Sequence, residues 1–353
     1  MSGLSGQVVV EQGAFRLDVE IEVAAGEVVA VLGPNGAGKS TLLRAVAGLT
    51  PMTGGRLSLG TVVVDHPAAD VLVAPGERRI GLVFQDYRLF PHLSVLDNLA
   101  FGLRSSGVSK AESRRRAGVW VTRLGLDDLA HRKPATLSGG QAQRVALGRA
   151  LAADPVAMLL DEPLAALDAG TRLDVRSWLR EHLTDVGGPT LLVTHDPLDA
   201  LVLADRIVVL EGGSVTQQGE PWEVARRPAT RYVARLLGIN LLPGTAAGGE
   251  VALDGGGALH VADDADHHGH VLVAVRPSAI SLHAAEPEGS ARNVWRGVVD
   301  GVEPIGDRVR VTVSGAPTVI VDVTPGAVAD LRLTRGTELW LSAKATELDV
   351  YPA

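Results

Sequence analysis

The chain of 353 residues contains no cysteine, which excludes disulfides and thiolate metal sites and is in keeping with a reducing cytoplasm. Aromatic residues make up only 3% of the chain, so we do not expect a surface on which nucleic-acid bases stack. Positive charge is not in excess either. The formal net charge of -8 argues against a protein that coats nucleic acid, and we expect no nucleic-acid partner.

Long apolar runs are also missing from the chain. None approaches the about 20 residues that a membrane-spanning helix needs. Residues 1–6 contain no basic region followed by an apolar block, so we expect no secretory signal. A role in membrane transport would therefore require a pore supplied by other chains. The length is sufficient for one large domain and a second small one.

The most informative feature present is a glycine-rich loop between a predicted strand, residues 27–32, and a predicted helix, residues 41–48. Backbone N–H groups of such a loop face phosphate oxygens, and the helix N-terminus adds partial positive charge. Lys39 can reach the β- and γ-phosphates of a nucleotide, and the Ser40 hydroxyl can bind Mg²⁺. A chance strand–turn–helix is the weaker alternative. The predicted ATP-binding residues are Gly33, Pro34, Asn35, Gly36, Ala37, Gly38, Lys39, Ser40 and Thr41.

Two carboxylates follow a second apolar strand, predicted at residues 157–161. Asp161 is the candidate Mg²⁺ ligand, and Glu162 is the candidate base that polarises an attacking water. Such a pair at a strand end is often merely solvated, but its position downstream of a phosphate loop favours catalysis. Further strands are predicted at residues 190–194, which end before His195, and at residues 207–210.

A second glycine-rich turn, residues 137–141, opens a predicted helix with Ser138 as its N-cap. Alone it would be a capping turn and nothing more. The segment 143–151 follows it, and the order phosphate loop, glycine-rich turn, carboxylate pair and His195 resembles the nucleotide-binding subunits of ABC transporters. In that family the turn meets ATP bound to the other subunit, so the resemblance implies a head-to-tail homodimer. It adds to the nucleotide site Ser138, Gly139, Gly140 and Gln141.

The resemblance also implies roles for four single residues. Gln85 matches the glutamine that senses Mg²⁺ and the water and connects the site to the membrane subunits, and His195 matches the histidine that holds the γ-phosphate. Asp168 resembles the last residue of the D-loop, in a segment with alanine where serine is often found. Phe15 matches the aromatic residue that stacks on adenine, with simple core packing as the alternative. The implied catalytic residues are Glu162, His195 and Gln85, and the implied metal ligands are Ser40, Gln85 and Asp161.

The predicted fold is an α/β P-loop ATPase core with a helical insert, followed by a small C-terminal all-β barrel of the molybdate-binding or TOBE type. We place the core at residues 1–237 and the insert at about 87–150, with helices at 95–102, 109–124 and 138–152. Residues 238–289 are predicted to hold a linker and the first barrel strands, and residues 290–353 an oxyanion-binding-like domain. No clear internal repeat is evident.

Two segments point to the cargo. Residues 75–92 resemble the molybdate-importer ATPases, at the place where family members dock the coupling helix of the permease. In the C-terminal domain, a turn and a lysine resemble the oxyanion contacts of molybdate-binding modules, in keeping with the donors and cations that a tetrahedral dianion requires. Solvated strand-end charges are the alternative. The candidate oxyanion residues are Ser290, Ala291, Arg292, Asn293 and Lys344.

The resemblance therefore implies an ATP- and Mg²⁺-dependent subunit of a molybdate importer. The expected partners are a second copy of the chain, two permease subunits at the cytoplasmic face of the membrane and, indirectly, an extracytoplasmic molybdate-binding protein. Import of sulfate, iron, sugar or polyamine remains an alternative, as does a soluble ABC ATPase without a transport role. A metal site at His267, His268 and His270, beside the acidic residues 263–266, is conceivable, but a solvated loop is favoured.

Overall fold

A computed structural model of the chain describes residues 3–165, 167–184, 187–262 and 267–353. The chain divides into two compact units, Met1–Pro221 and Trp222–Ala353. None of the helices that the structure describes combines the length and the apolar composition needed to cross a bilayer.

The first unit contains two sheets and a group of helices. Its elements are β1 (Leu4–Gln12), β2 (Phe15–Val23), β3 (Val28–Leu32), α1 (Lys39–Val46), β4 (Gly54–Leu59), β5 (Val62–His66), β6 (Val71–Leu72), β7 (Ile80–Val83), α2 (Val95–Leu99), α3 (Phe101–Ser105), α4 (Lys110–Arg123), α5 (Gly139–Ala152), β8 (Ala157–Asp161), α6 (Ala169–Thr184), β9 (Thr190–Val193), α7 (Pro197–Leu203), β10 (Arg206–Glu211) and β11 (Ser214–Gly219).

A six-stranded sheet in the order β11-β10-β3-β9-β8-β7 positions the candidate site. All neighbours from β10 to β7 are parallel, and only β11 is antiparallel. β3 is buried at all five positions, as expected for a parallel strand covered on both faces. The carboxyl ends of β3, β9, β8 and β7 therefore meet at one edge, where ligands bind in open α/β sheets. The predicted α/β core is confirmed.

A five-stranded antiparallel sheet, β2-β1-β4-β5-β6, is the part of this unit that the sequence analysis did not predict. Its strands show a half-buried alternation instead of a continuous apolar run, as along β2, where Leu17, Val19, Ile21 and Val23 are buried between more exposed neighbours. These residues share one apolar core with β3 and α1. The sheet therefore packs directly against the elements that carry the phosphate loop.

The helical insert consists of α2 to α5 and has an apolar core of its own, in which Val95, Leu99, Val121 and Leu124 are buried. Serine N-caps begin three of these helices, as the sequence predicts for helix starts. The single helix predicted at 95–102 is divided into α2 and α3 at Ala100. The predicted domain and subdomain boundaries themselves stay predictions.

The second unit is almost entirely β-structure, which confirms the predicted all-β C-terminal domain. α8 begins at the division between the units. The elements are α8 (Pro221–Arg226), α9 (Arg231–Leu237), β12 (Asn240–Ala247), β13 (Glu250–Leu253), β14 (Ala258–His260), β15 (Gly269–Val275), β16 (Ile280–His283), β17 (Asn293–Ile305), β18 (Arg308–Gly315), β19 (Val319–Val323), α10 (Pro325–Asp330), β20 (Glu338–Ala343) and β21 (Leu348–Pro352).

These strands form two five-stranded antiparallel sheets that share one apolar core, in the orders β14-β13-β12-β15-β21 and β16-β20-β17-β18-β19. The second sheet curls into a half-barrel. Strands β12 to β15 and β17 to β20 occupy equivalent places in their sheets, and a short 3₁₀ turn follows each group, at Pro277–Ala279 and Ala345–Glu347. The strand order therefore repeats, although the sequence shows no clear internal repeat.

The last strand of each repeat pairs in the sheet of the other repeat. β16 lies at the edge of the second sheet, beside β20, and β21 lies at the edge of the first, beside β15. The repeat is not visible in the sequence because only the order of the strands repeats, whereas the lengths of equivalent strands differ. β12 has 8 residues, and its equivalent β17 has 13 residues. Among the described residues, the helix α10 is inserted in the second repeat only.

Candidate functional site

The glycine-rich loop joins β3 to α1 at the carboxyl edge of the six-stranded sheet. Gly36 and Gly38 adopt the left-handed region, with φ of 81° and 104°. A Cβ on Gly38 would lie 2.9 Å from Cζ of Phe15, so the half-buried Phe15 ring lies beside the loop. The first turn of α1 has no acidic residue and no side-chain cap, which leaves its N–H groups available to an anion. The remaining predicted residues of this segment are Asn35, Ala37 and Thr41.

Lys39 begins α1 and is only 8% exposed. Its Nζ donates to the carbonyl oxygens of Gly33, at 2.7 Å, and Pro34, at 2.9 Å. Burial lowers the pKa of this ammonium, and the nearby charges of Glu162 and Asp161 oppose that shift. The cation is therefore held at the loop by two neutral acceptors, both of which a bound phosphate could replace.

Ser40 and Asp161, predicted as metal ligands, lie near each other, at the start of α1 and the end of β8. Burial raises the pKa of Asp161, and the adjacent Glu162 raises it further, against the opposing effects of Arg44 and Lys39. The Ser40 hydroxyl favours the charged form of the Asp161 carboxylate and so acts to lower its pKa. Hydroxyl and carboxylate oxygens at one place are the donor set that Mg²⁺ prefers, so these residues fit that ion.

Gln85, Glu162 and His195, the three predicted catalytic residues, also lie together. Nε2 of Gln85 donates to Oε2 of Glu162 at 3.1 Å, and Nδ1 of His195 lies 3.2 Å from the same oxygen. The Glu162 backbone has a φ of 48°, and its N–H donates to Val193 at the end of β9. Because Gln85 uses its amide nitrogen here, its carbonyl oxygen is left to accept or to bind a cation.

The second glycine-rich turn lies at the start of α5. Ser138 is the N-cap, and with Gln141 it forms a capping box: the Gln141 N–H donates to Ser138 Oγ at 3.3 Å, and the Ser138 N–H donates to Gln141 Oε1 at 2.9 Å. Ser138 and Gly139 are exposed, whereas Gly140 is buried. The start of α5 is therefore exposed at the surface of the chain, where a second molecule can reach it.

Asp168 lies immediately before α6, in the segment that resembles the D-loop. Its carbonyl oxygen accepts the N–H of Arg172 in the first turn of that helix, at 2.9 Å. Nη1 of Arg172 donates to Oδ2 of Asp196 at 2.8 Å. Ala166 of the same segment lies outside the described residues. The start of α6 is thereby tied to the turn that follows His195.

A buried network beside His195 was not predicted from the sequence. Nε of Arg176 donates to Oδ1 of Asp199 at 2.8 Å, and the Thr194 hydroxyl donates to Oδ2 at 3.2 Å. The Asp196 N–H in turn donates to the Thr194 hydroxyl at 3.1 Å. Burial raises the pKa of Asp199 in spite of its pairing with Arg176. Arg176 lies three and seven residues before the buried Leu179 and Leu183, so helical spacing could have placed it on the buried side of α6, but no sequence signal identifies Asp199 as its partner.

The candidate oxyanion residues lie at the start of β17 and the end of β20. Asn293 pairs with Ala343 in the antiparallel register, so Arg292 and Lys344 occupy the next opposed positions, and both are exposed. Ser290 is exposed and Ala291 is half-buried just before them. Two cations are thus brought to one end of a strand pair from positions far apart in the sequence.

Asn293 itself is buried and differs from its exposed neighbour Arg292 in its contacts. Its side-chain Nδ2 donates to the carbonyl oxygen of His260 at 2.9 Å, and its Oδ1 accepts the His260 N–H at 2.7 Å. The Asn293 side chain therefore satisfies both backbone groups of His260 on the outer edge of β14. Residues 263–266, beside the conceivable histidine metal site, lie outside the described residues, whereas His267, His268 and His270 are described.

Comparison with known proteins gives two family matches: residues 17–165 match the ABC transporter family, and residues 289–350 match the TOBE domain. The Molybdenum import ATP-binding protein ModC of Mycobacterium tuberculosis is 42% identical over 349 residues, which cover 96% of this chain and 95% of that protein. The Sulfate/thiosulfate import ATP-binding protein CysA of Nocardia farcinica is also 42% identical, over 95% of this chain and 94% of that protein.

Solved structures give the same picture for the first unit. A dimeric ATP-binding cassette bound to ADP and Pi in a post-hydrolysis state is 31% identical with a TM-score of 0.53, covering 63% of this chain and 99% of its own. A nucleotide-free ATP-binding cassette from an ABC transporter is 28% identical with a TM-score of 0.58, covering 67% of this chain and 98% of its own.

Proposed function

Because this chain belongs to the ATP-binding subunits of ABC importers, we propose that it hydrolyses ATP at the site around Lys39 and Glu162 to drive import of a tetrahedral oxyanion, molybdate. The observation that carries the proposal is the convergence of Gln85 and His195 on one oxygen of Glu162, next to the Ser40–Asp161 pair. The chain brings these groups together from four separate segments of the sequence.

In the proposed reaction the loop N–H groups and the Lys39 ammonium bind the β- and γ-phosphates, and Lys39 exchanges its two carbonyl acceptors for phosphate oxygens. Ser40, Asp161 and the Gln85 carbonyl oxygen would hold Mg²⁺, which supplies neutralisation of the phosphate charge when bound. Phe15 is placed to stack on the base, because its ring lies against Gly38 of the same loop.

Glu162 then accepts a proton from the attacking water while the water oxygen bonds to the γ-phosphorus and the bond to the ADP oxygen breaks. Gln85 and His195 orient the Glu162 carboxylate through the shared oxygen. The Arg176–Asp199 network supports His195 indirectly, since it fixes Thr194 and Asp196 on either side of it. His195 is well placed to contact the γ-phosphate, as its ring is largely exposed at the sheet edge.

Two copies of the chain are proposed to act together. The exposed Ser138–Gly139 turn would complete the ATP site of the second copy, with Gly140, Gln141 and Asp168 beside the contact. Two permease subunits, which the chain would contact at the cytoplasmic face of the membrane, would form the pore. An extracytoplasmic binding protein would deliver the substrate to them. Closure on ATP and reopening after hydrolysis would switch the access of that pore.

The cargo is the finer part of the proposal. The likeness to a molybdenum import protein supports molybdate, and the opposed cations Arg292 and Lys344 offer a dianion two charge-assisted contacts in the C-terminal domain. Backbone donors at Ser290 and Ala291 adjoin them. Sulfate is the second candidate, because the sulfate/thiosulfate import protein is equally identical over nearly the same length.

The test is ATP hydrolysis by the transporter assembled in liposomes with its binding protein, titrated with molybdate, tungstate and sulfate. Stimulation at low molybdate supports the cargo, and inhibition by molybdate on the ATPase side, lost in Arg292→Ala and Lys344→Ala, supports the oxyanion site. Arg335→Ala, at an exposed position of the same domain, is the matched control. Stimulation by sulfate alone would refute molybdate, and the absence of any hydrolysis would refute the ATPase role.

A further inference from the structure

The turn that follows Gln85 has an unusual backbone. Tyr87 and Arg88 are consecutive non-glycine residues in the left-handed region, with φ of 57° and 45°. Residues other than glycine rarely adopt this backbone conformation, and two such residues in succession keep it only where their surroundings hold them. Within the turn, the Tyr87 N–H donates to the Phe84 carbonyl oxygen at 2.9 Å. This local bond closes the turn but leaves the carbonyl groups of Tyr87 and Arg88 to find partners elsewhere.

One guanidinium supplies both partners. Nη1 of Arg149 donates to the Arg88 carbonyl oxygen at 2.7 Å, and Nη2 donates to the Tyr87 carbonyl oxygen at 2.9 Å. The same group lies 5.3 Å from the centroid of the Phe90 ring. Arg149 is half-buried, and burial lowers the pKa of its guanidinium. The planar fork of arginine presents two separate nitrogens, so each of the two carbonyl oxygens receives its own N–H.

The side chains of the turn offer no substitute for Arg149. The Tyr87 ring packs against the core of the first unit, but its buried hydroxyl has no hydrogen-bond partner among the described residues. The Arg88 guanidinium lies over the Phe84 ring, 4.4 Å from its centroid, and is exposed. The two Arg149 hydrogen bonds are therefore the only bonds that link the carbonyls of Tyr87 and Arg88 to another element, as far as the described residues extend.

The two ends of this connection matter for the site. Arg149 lies in the last turn of α5, the helix that begins at the exposed Ser138 turn. Tyr87 is two residues from Gln85, whose amide contacts Glu162 at 3.1 Å. A helix transmits displacement along its length as a rigid body. A shift of the Ser138 turn therefore reaches the backbone beside Gln85 through Arg149, without any change in the phosphate loop.

We propose that Arg149 is a positioning residue: it holds the left-handed turn at Tyr87 and Arg88, and thereby couples the position of α5 to the contact between Gln85 and Glu162. The inference rests on the proposed ATPase function. It assigns to the arginine near the end of α5 a part in hydrolysis, although it touches neither the nucleotide nor the reacting atoms.

The first test is ATP hydrolysis by the full chain with Arg149→Ala and Arg149→Lys. We expect kcat to fall by about 10- to 100-fold, because small misplacements of positioning groups have effects of this size, with little change in KM for ATP. Arg144→Lys is the matched control, since Arg144 lies on the same helix but donates to Leu124 within the insert, at 3.1 Å. A fall in kcat no larger than that of the control would overturn the proposal.

The second test separates positioning from general support of the fold. Glycine adopts a positive φ without strain, so Arg88→Gly should make the turn less dependent on Arg149. We expect Arg149→Ala with Arg88→Gly to recover most of the lost kcat, and Arg149→Ala with Arg88→Ala to recover none. Both pairs lose the contact with Phe84 equally, so only backbone freedom differs. Equal activity of the two pairs would contradict a strained turn held by Arg149.

Thermal unfolding of the same variants keeps the result interpretable. Should Arg149→Ala fail to fold, Arg149→Lys takes its place in both pairs. Wild-type chain that hydrolyses no ATP would count against the proposed function, whereas a higher midpoint for the glycine pair than for the alanine pair would still support the strained turn. Equal midpoints together with equal activities would remove Arg149 from the role assigned to it.

Discussion

Glu162 occupies a demanding position. Its backbone is left-handed, with a φ of 48°, and its carboxylate is only 20% exposed while it contacts both Gln85 and His195 through one oxygen. A non-glycine residue keeps such a conformation only where the surroundings enforce it, here through the bond from its N–H to Val193. The two contacts use Oε2 alone, so they leave the second carboxylate oxygen of Glu162 without either of these partners.

Glu162→Gln keeps the size and both hydrogen-bonding positions of the side chain but removes its basicity. We expect ATP binding to be retained and turnover to fall by about 10²- to 10⁴-fold, the usual contribution of a general base, so that the chain accumulates as a closed dimer. Nucleotide binding, phosphate release and size-exclusion chromatography measure the three effects. Glu20→Gln, at an exposed position on β2, is the control. Normal turnover of Glu162→Gln would remove this residue from its role.

The residues of the predicted ATP site could be found from the sequence because each lies at a fixed place relative to a strand end or a helix start. Lys39, Asp161 and His195 are examples, and the structure brings their segments to one sheet edge. Arg149 and Arg176 could not be found in this way. Their partners are backbone carbonyls and a carboxylate that become neighbours only through tertiary packing, and an arginine on a helix is more often solvated.

Among the elements, the helical insert depends on contacts between its short helices. α2 has only five residues, too few to be stable alone. Ser94 caps it, and Asp97 in its first turn accepts two hydrogen bonds from Arg114 of α4, at 2.8 Å each. The Arg114 hydrogen bonds hold the pKa of Asp97 below its ordinary value. Partial burial opposes this shift, and the Ser94 hydroxyl adds a smaller lowering.

The lowered pKa gives this contact a pH dependence with a definite sign. The folded-state pKa lies below the unfolded value, so the stabilisation is fully present above about pH 4 and is lost as the pH falls through the folded-state pKa. Asp97→Asn should lower the free energy of unfolding by about 1 kcal/mol at pH 7, with the two proteins converging in acid. Urea unfolding from pH 7 to pH 3 measures this difference. Asp128→Asn, an exposed carboxylate of the same insert, should show no such convergence.

The elements that were predicted best are those whose apolar pattern allows only one interpretation. Continuous apolar runs identified β3, β8, β9 and β10, and serine caps with helical spacing identified α4 and α5. The break between α2 and α3 was missed because Ala100 is an ordinary helix former with near-helical φ and ψ. The first antiparallel sheet was missed because its strands alternate buried apolar with exposed polar residues, and because its members lie on both sides of the phosphate loop in the sequence.

For the molecule as a whole, the second unit is notable for two asparagines in equivalent places. Asn240 begins β12 and pairs by its side chain with both backbone groups of Ile320, at 2.8 and 2.7 Å. Asn293 begins β17 and does the same with His260, at 2.9 and 2.7 Å. Each asparagine therefore holds the outer strand of the other repeat, and both are less than 10% exposed.

Asn240→Ala and Asn293→Ala should destabilise the second unit to a similar extent. Each change leaves one part-buried backbone N–H and one carbonyl group without the asparagine partner, at a cost of about 1–3 kcal/mol. Thermal unfolding of the two variants measures the effect. His260→Ala is the control, because the bonds to Asn293 involve only the backbone of His260 and its side chain is exposed. A large difference between the two asparagine variants would show that the repeats are not energetically equivalent.

The exchange of β16 and β21 has a consequence for the ancestry and engineering of this domain. A polypeptide with one repeat alone would lack the edge strand of its own sheet, and its last strand would have no sheet to pair with. It would be complete only as an intertwined dimer in which the two molecules exchange these strands. The second unit has the arrangement that such a pair would have if both copies were joined in one chain. The two repeats are then always present in equal number, because one polypeptide carries both. Two fragments of the unit, each carrying one repeat, should bind each other and reassemble.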